Sequence, residues 1–298
     1  MKRLIIALGL IALAGVLPLL MTRPVTLPDG ALPIHRANVS NGEYLFHAGG
    51  CASCHSSTED RSEPAMLGGG LEMDTAFGVF VVPNISPNMS SGIGHWTMLQ
   101  FVNAMLMGTS PGGRHYYPAF PYASYSRMSF GDLMDLKSYL DTLPEVEIDP
   151  GDHRLNFPFN MRAGIGLWKV LNLKPEFVIS VPAGQQQLAR GRYLVEGAGH
   201  CGECHTPRDW SGGLNYSRWL AGAPSPDGEG KVPNITPHKS GLSEWSQSDI
   251  AYYLASGFTP DFDTVGGSMV EVQENMAQLS EEDREAIAAY LKNIPPLD

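Results

Sequence analysis

The pentapeptide Cys-x-x-Cys-His occurs twice, as Cys51-Ala52-Ser53-Cys54-His55 and Cys201-Gly202-Glu203-Cys204-His205, and together the copies use all four cysteines of the 298-residue chain. The spacing has a chemical reason. Each thiol adds to one vinyl group of a porphyrin, and the adjacent histidine is carried under the ring as the proximal iron ligand. Two covalently bound haem c groups are therefore expected, on Cys51, Cys54, Cys201 and Cys204, with His55 and His205 on the irons. A zinc knuckle, a redox dithiol or a structural disulfide are the rival uses of paired cysteines, but none of them needs the histidine that ends both copies.

The segments around the two motifs repeat. Gly42-Glu43-Tyr44-Leu45 matches Gly191-Arg192-Tyr193-Leu194, Val82-Pro83-Asn84-Ile85-Ser86-Pro87 matches Val232-Pro233-Asn234-Ile235-Thr236-Pro237, Trp96 matches Trp245, and Gly108 matches Gly257. Two copies of one large unit are a duplicated domain rather than a solenoid. Ser40-Asn41-Gly42-Glu43 reads as a capping box opening a helix that leads to Cys51, and Gln185 to Glu196 supplies its counterpart. Ser129 with Asp132 caps a closing helix striped by Leu133, Leu136, Leu140 and Leu143. Ser280 with Asp283 caps another carrying Ile287, Leu291 and Ile294, and Pro144 and Pro295 stop the two.

The expected fold is all-α: two tandem class I cytochrome c domains, with the N-terminal and closing helix of each packed together beside its haem. The expected divisions are a signal anchor over 1–22, a linker over 23–37, domains over 38–145 and 184–298, and an interdomain linker over 146–183 that is apolar enough to pack.

Met1-Lys2-Arg3 followed by an apolar run from Leu4 to Met21 has the order of an export signal. Its length is at the lower edge of a spanning helix and no clean cleavage site precedes Arg23, so an uncleaved transmembrane helix is expected, with Lys2 and Arg3 on the cytoplasmic side. The haem domains would then face the periplasm of a bacterial inner membrane. A formal charge of −11 disfavours nucleic acid and favours basic partners.

Methionine is the usual sixth ligand when the task is electron transfer at a raised potential, and thirteen are present. Met269 and Met276 both lie between the second motif and its closing helix, with Met269 farther from the cap and in the more plausible ligand loop. In the first copy Met128 directly precedes Ser129, and Met134 lies inside the helix. Counting from the caps puts Met128 opposite Leu279 and Met269 opposite Pro118, so the two ligand loops differ. Trp96 and Trp245 are expected to pack on haem, and Arg114 to neutralise a propionate.

Phe77-Gly78, the Val-Pro-Asn-Ile-Ser/Thr-Pro segments, Gly92-Ile93-Gly94-His95-Trp96, Gly113-Arg114-His115-Tyr116-Tyr117-Pro118-Ala119-Phe120-Pro121-Tyr122 and Arg127-Met128 resemble the cytochrome c subunits of bacterial membrane-bound dehydrogenases of alcohol, aldehyde, gluconate and related types. The resemblance implies Met128 and Met269 as axial ligands. It also implies an electron-transfer subunit rather than an enzyme, partnered with a periplasmic flavin, quinoprotein or molybdenum dehydrogenase and discharging to a quinone or to a terminal oxidase or cytochrome c. Many relatives carry three haems and reduce ubiquinone, whereas this chain has two motifs; many have Met where Phe120 stands. A free-standing tethered shuttle is the alternative. A di-haem peroxidase or thiosulfate dehydrogenase is a third reading, disfavoured because no cysteine is spare and each copy offers a methionine.

Overall fold

A computed structural model describes residues 20–57, 63, 65–225 and 230–298. The expected anchor lies almost wholly outside them, and among the described residues no helix is long and apolar enough to cross a membrane. The first copy runs α1 (Val39–Ala48), α2 (Cys51–His55), the strands β1 (Glu72–Thr75) and β2 (Gly78–Val81), α3 (Met98–Met107), α4 (Tyr122–Tyr125) and α5 (Phe130–Leu140). Strand β3 (Arg154–Leu155) and α6 (Ala163–Asn172) follow. The second copy runs α7 (Gln186–Tyr193), a π turn (Leu194–Ala198), α8 (Gly202–His205), the strands β4 (Ala223–Pro224) and β5 (Lys231–Val232), α9 (Gln247–Ser256), α10 (Met269–Ala277) and α11 (Glu281–Asn293).

Helix α1 begins earlier than the expected Ser40 cap. Asn38 holds extended backbone, its side chain accepts the Asn41 N–H, and Ser40 is already helical; asparagine caps at least as well as serine. The closing helices begin where expected, Ser129 accepting the Asp132 N–H and Ser280 that of Asp283. Helices α3 and α9 each open on a capping box, Thr97 with Gln100 and Ser246 with Asp249, and each stops at a left-handed glycine, Gly108 or Gly257. That geometry explains why glycine recurs at this point in both copies.

The described residues are mostly helical, as expected, with a few short strands added. β1 pairs antiparallel with β2, β2 with β3, and β4 with β5. These strands are two to four residues long, too short for alternation to register in sequence. Within 146–183, β3 extends the first copy's sheet, and Asn84 donates to the carbonyls of Val146 (2.7 Å) and Ile148 (2.9 Å).

In each copy the opening helix crosses the closing helix with a glycine at the crossing. A Cβ on Gly42 would overlap the Asp135 carbonyl and stand 2.7 Å from Tyr139 Cβ; one on Gly191 would overlap the Ala286 carbonyl and stand 2.8 Å from Tyr290 Cβ. Gly191→Ala is therefore expected to force α7 from α11 at a cost of about 1–3 kcal/mol. Gly164→Ala on α6 meets nothing within 4 Å and is expected to be neutral or stabilising. Thermal unfolding of the two holoprotein variants checks the contrast.

The copies meet through reciprocal contacts that follow an approximate two-fold relation. The Tyr44 hydroxyl donates to Asp283 and accepts the Ser280 N–H (3.2 Å), while the Tyr193 hydroxyl donates to Asp132 and accepts the Ser129 N–H (3.1 Å). Each tyrosine thus sits on the N-terminal cap of the other copy's closing helix. Ser53, inside the first haem motif, accepts from Asn275 on α10 (3.0 Å), and Ser124 on α4 donates to Glu203 inside the second motif (2.9 Å). Each haem-attachment turn is therefore tied by a side-chain bond to a helix of the other copy, α10 or α4, independently of the linker.

Candidate haem sites

Both attachment histidines are oriented by the same device. His55 Nδ1 lies 2.8 Å from the Pro83 carbonyl oxygen, and His205 Nδ1 lies 2.8 Å from that of Pro233. A carbonyl can only accept, so Nδ1 carries the proton and Nε2 keeps its lone pair, the tautomer an iron ligand needs. Burial pulls both imidazoles below their ordinary pKa, against the opposing pull of the carbonyl bond.

The repeated Val-Pro-Asn-Ile-Ser/Thr-Pro segments hold those carbonyls in place. Asn84 accepts the Ser86 N–H (2.8 Å) while gripping Val146 and Ile148; Asn234 accepts the Thr236 N–H (2.8 Å) and donates to the Leu297 carbonyl (2.6 Å). The asparagine thus ties the histidine's partner to the chain leaving the closing helix. This role was missed in the sequence, although the repetition of the motif was its signal.

The four cysteines form no disulfide. Burial, then the neighbouring Cys54 or Cys204, pushes the thiols of Cys51 and Cys201 up to about 12, opposite to the lowered pKa of a redox dithiol. Paired thiols beside an imidazole with a free Nε2 are the donor set that covalent haem requires.

The sixth-ligand sides differ between the copies. The bridges Thr109↔His115 and Phe258↔Thr264 and the bonds Tyr116 N–H to Gly108 O (2.7 Å) and Val265 N–H to Gly257 O (2.8 Å) keep one register after the glycine stops, setting Phe120 opposite Met269. Counting back from Ser129 and Ser280 sets Met128 opposite Leu279 and Tyr125 opposite Met276. The two counts disagree by two residues because α10 is longer than α4. Met269 is the first residue of α10, a helix rather than the expected loop, and is half-buried; Met276 is core. Phe120 joins an aromatic cluster with Tyr116, Tyr122 and Tyr125. Met128 is buried and lines a small cavity with Cys51, Leu45, Gly49, Tyr125 and Ala198, beside the first attachment site.

Trp96 and Trp245 are half-buried against the core after equivalent turns, their backbone N–H groups donating to the carbonyls of Ile93 (3.1 Å) and Leu242 (3.2 Å). Arg114 stands exposed in the turn before His115, and Asp263 holds its place in the second copy, so a cation there is not common to the two sites.

The cytochrome c family profile matches residues 39–144 and 188–295, one match around each motif. The chain belongs to the cytochrome c family. A diheme cytochrome c-type protein of Cereibacter sphaeroides is 49% identical over 298 residues, covering 100% of this chain and 99% of the relative. The fructose dehydrogenase cytochrome subunit of Gluconobacter japonicus is 35% identical, covering 88% of this chain and 53% of the relative. The gluconate 2-dehydrogenase cytochrome c subunit of Pantoea cypripedii is 35% identical, covering 92% and 64%. This cytochrome therefore spans about half to two thirds of those dehydrogenase subunits. Two matched domains and a diheme relative at this identity give it two covalently bound haem c groups.

Sequence reasoning also missed what joins the two haem motifs in this cytochrome. His200, directly before Cys201, holds its backbone at a positive φ of 38° and sets Nε2 3.2 Å from the Gly49 carbonyl, two residues before Cys51. Its ring lies edge-on to Tyr125, with centroids 5.6 Å apart.

Proposed function

We propose that this cytochrome is a membrane-anchored, periplasmic electron-transfer subunit that takes electrons from a partner dehydrogenase of flavin, quinoprotein or molybdenum type. It passes them to a respiratory acceptor, a quinone or a terminal oxidase or cytochrome c. The observation that carries the reading is that each haem-attachment turn is tied to the other copy by side-chain bonds, in a chain similar to dehydrogenase cytochrome subunits. Bound at the two motifs, haem c supplies one-electron iron chemistry.

Cys51, Cys54, Cys201 and Cys204 serve as the attachment points in this reading, and His55 and His205 as proximal ligands held in one tautomer by Pro83 and Pro233. Met128 and Met269 serve as the sixth ligands. Met128 is supported by its burial beside Cys51, and Met269 by its place at the head of α10, ahead of the core residue Met276. Ser53 with Asn275 and Ser124 with Glu203 tie each attachment turn to a helix of the other copy, and His200 with Gly49 joins the approaches to the two motifs, which keeps the distance between the redox centres constant. Residues 1–22 anchor the chain, supported by the charged-then-apolar order of that segment.

A second reading, a free-standing tethered shuttle, rests on the Cereibacter relative, which matches the whole chain and is named as a diheme cytochrome alone. Purification of the tagged full-length chain from native membranes in mild detergent separates the two. A co-purifying dehydrogenase is the expected result. Recovery only with oxidase or quinol-oxidising components would support the shuttle.

A further inference from the structure

We propose that α6, with the Phe157–Met161 segment before it, lies in the headgroup region of a lipid bilayer, beside the point where the apolar N-terminal run enters it. The proposal rests on the reading of residues 1–22 as an anchor. Leu167, Val170 and Leu171 recur at helical spacing on one face of α6 and are 50%, 70% and 51% exposed. Phe157 and Met161, on the approach to the helix, are 79% and 55% exposed. Five exposed apolar side chains within fifteen residues, three of them on one helix face, mark an interaction site.

The anchor ends against this same helix. His115 Nε2 lies 2.9 Å from the Thr22 carbonyl, and Gly166 of α6 packs so closely on Thr22 that a Cβ there would stand 2.8 Å from its side chain. Met21, immediately before, is 77% exposed. The apolar run from Leu4 to Met21 is long enough as a helix to span roughly 27 Å. A run fixed at its end to α6 brings the exposed face of that helix to the membrane surface with it.

Charge favours lipid as the occupant. The chain carries 31 acidic residues, yet none lies between Asp152 and Glu176, and none precedes Asp29. Lys169 and Arg162 turn inward, Lys169 donating to the carbonyls of Met107 and Gly108 (2.7 Å each) and Arg162 to the His115 carbonyl (3.0 Å) while it covers the Tyr117 ring, and Lys174, just past the helix, lies over the Tyr216 ring. The outer face is left apolar, and no carboxylate stands in the segment to be repelled by an anionic leaflet. An amphipathic helix of this kind settles in the plane of the interface.

The test uses the full chain in phosphatidylcholine–phosphatidylglycerol vesicles, spin-labelled at Val170→Cys or, as control, at Tyr252→Cys on α9, where the side chain is 59% exposed. The native cysteines are held in thioethers, so the label goes to the new thiol. Flotation with the vesicles reads the anchor, and relaxation by oxygen against a water-soluble nickel chelate reads the position of the label. The proposal expects flotation, with oxygen dominating at position 170 and nickel at 252. Flotation with nickel dominating at 170 would overturn the proposal and leave the anchor standing. Flotation with 170 shielded from both reagents would overturn it in favour of a protein contact. Failure to float would overturn the anchor reading, and the proposal with it.

Discussion

Arg127→Ala is expected to destabilise the protein by about 3–5 kcal/mol, a large share of the roughly 5–15 kcal/mol that holds a domain folded. The Arg127 guanidinium donates to Ala123 of the first copy (2.8 Å) and to Lys174 (3.1 Å) and Glu176 (2.9 Å) of the connection. It also lies 3.8 Å from the Glu196 carboxylate of the second copy, both side chains being fully buried. Glu196 in turn accepts from Val178 N–H (2.5 Å), Ile179 N–H (3.1 Å) and the Tyr290 hydroxyl (2.6 Å). Removing the arginine leaves a buried carboxylate without its counter-charge and several carbonyls without a donor.

The loss should depend on pH with a definite sign. Burial raises the Glu196 carboxyl above its ordinary pKa, while Tyr290, the two amides and Arg127 pull the other way. A carboxyl raised in the folded state favours folding when protonated, and that contribution disappears as pH rises through the folded pKa. Arg127→Ala removes one of the lowering influences, so its deficit should be smaller under mildly acidic conditions than at neutrality. Denaturant unfolding at the two pH values measures it. A deficit under about 1 kcal/mol, or one that grows toward acid, would contradict the account. Arg127→Met with Glu196→Gln should recover part of the loss, because removing both charges avoids stranding either.

Met269→Ala is expected to convert the second haem from low-spin to high-spin and lower its potential, with the first haem unchanged. Axial-ligand identity moves haem potentials over a range of about 0.8 V, so losing the sulfur should exceed any effect of repacking. Met276→Ala is the control. Met276 is 5% exposed in the core, so its truncation should cost about 2–5 kcal/mol of stability and leave the second haem's spin state intact. Met128→Ala should reproduce the Met269 effect at the first haem. An unchanged low-spin spectrum in Met269→Ala would remove that residue from the ligand set.

Local chemistry was legible in the sequence. The Ser129 and Ser280 caps each reside in a few adjacent residues, and the structure places them as read; Gly108 and Gly257 showed only as a repeat, and their left-handed stops came from the structure. Features that depend on distant partners were not legible. Tyr44 meets Asp283 and Ser53 meets Asn275 across more than two hundred residues, with no periodicity to announce either pair. The connection between the copies was read as an apolar linker because its strand is two residues long and gains meaning only beside β2. The sixth ligands fall between these cases: counts from the two ends of the loop disagree, because α4 and α10 differ in length.

The central claim is that electrons from a partner dehydrogenase reach both haems of this chain. The direct measurement is stopped-flow absorbance of the purified complex after addition of the dehydrogenase's substrate, with the haem total fixed by dithionite. Substrate-driven reduction of two haems per chain is expected, with loss of the second component in Met269→Ala. Haems that stay oxidised in the presence of substrate and reduce only with dithionite would contradict it.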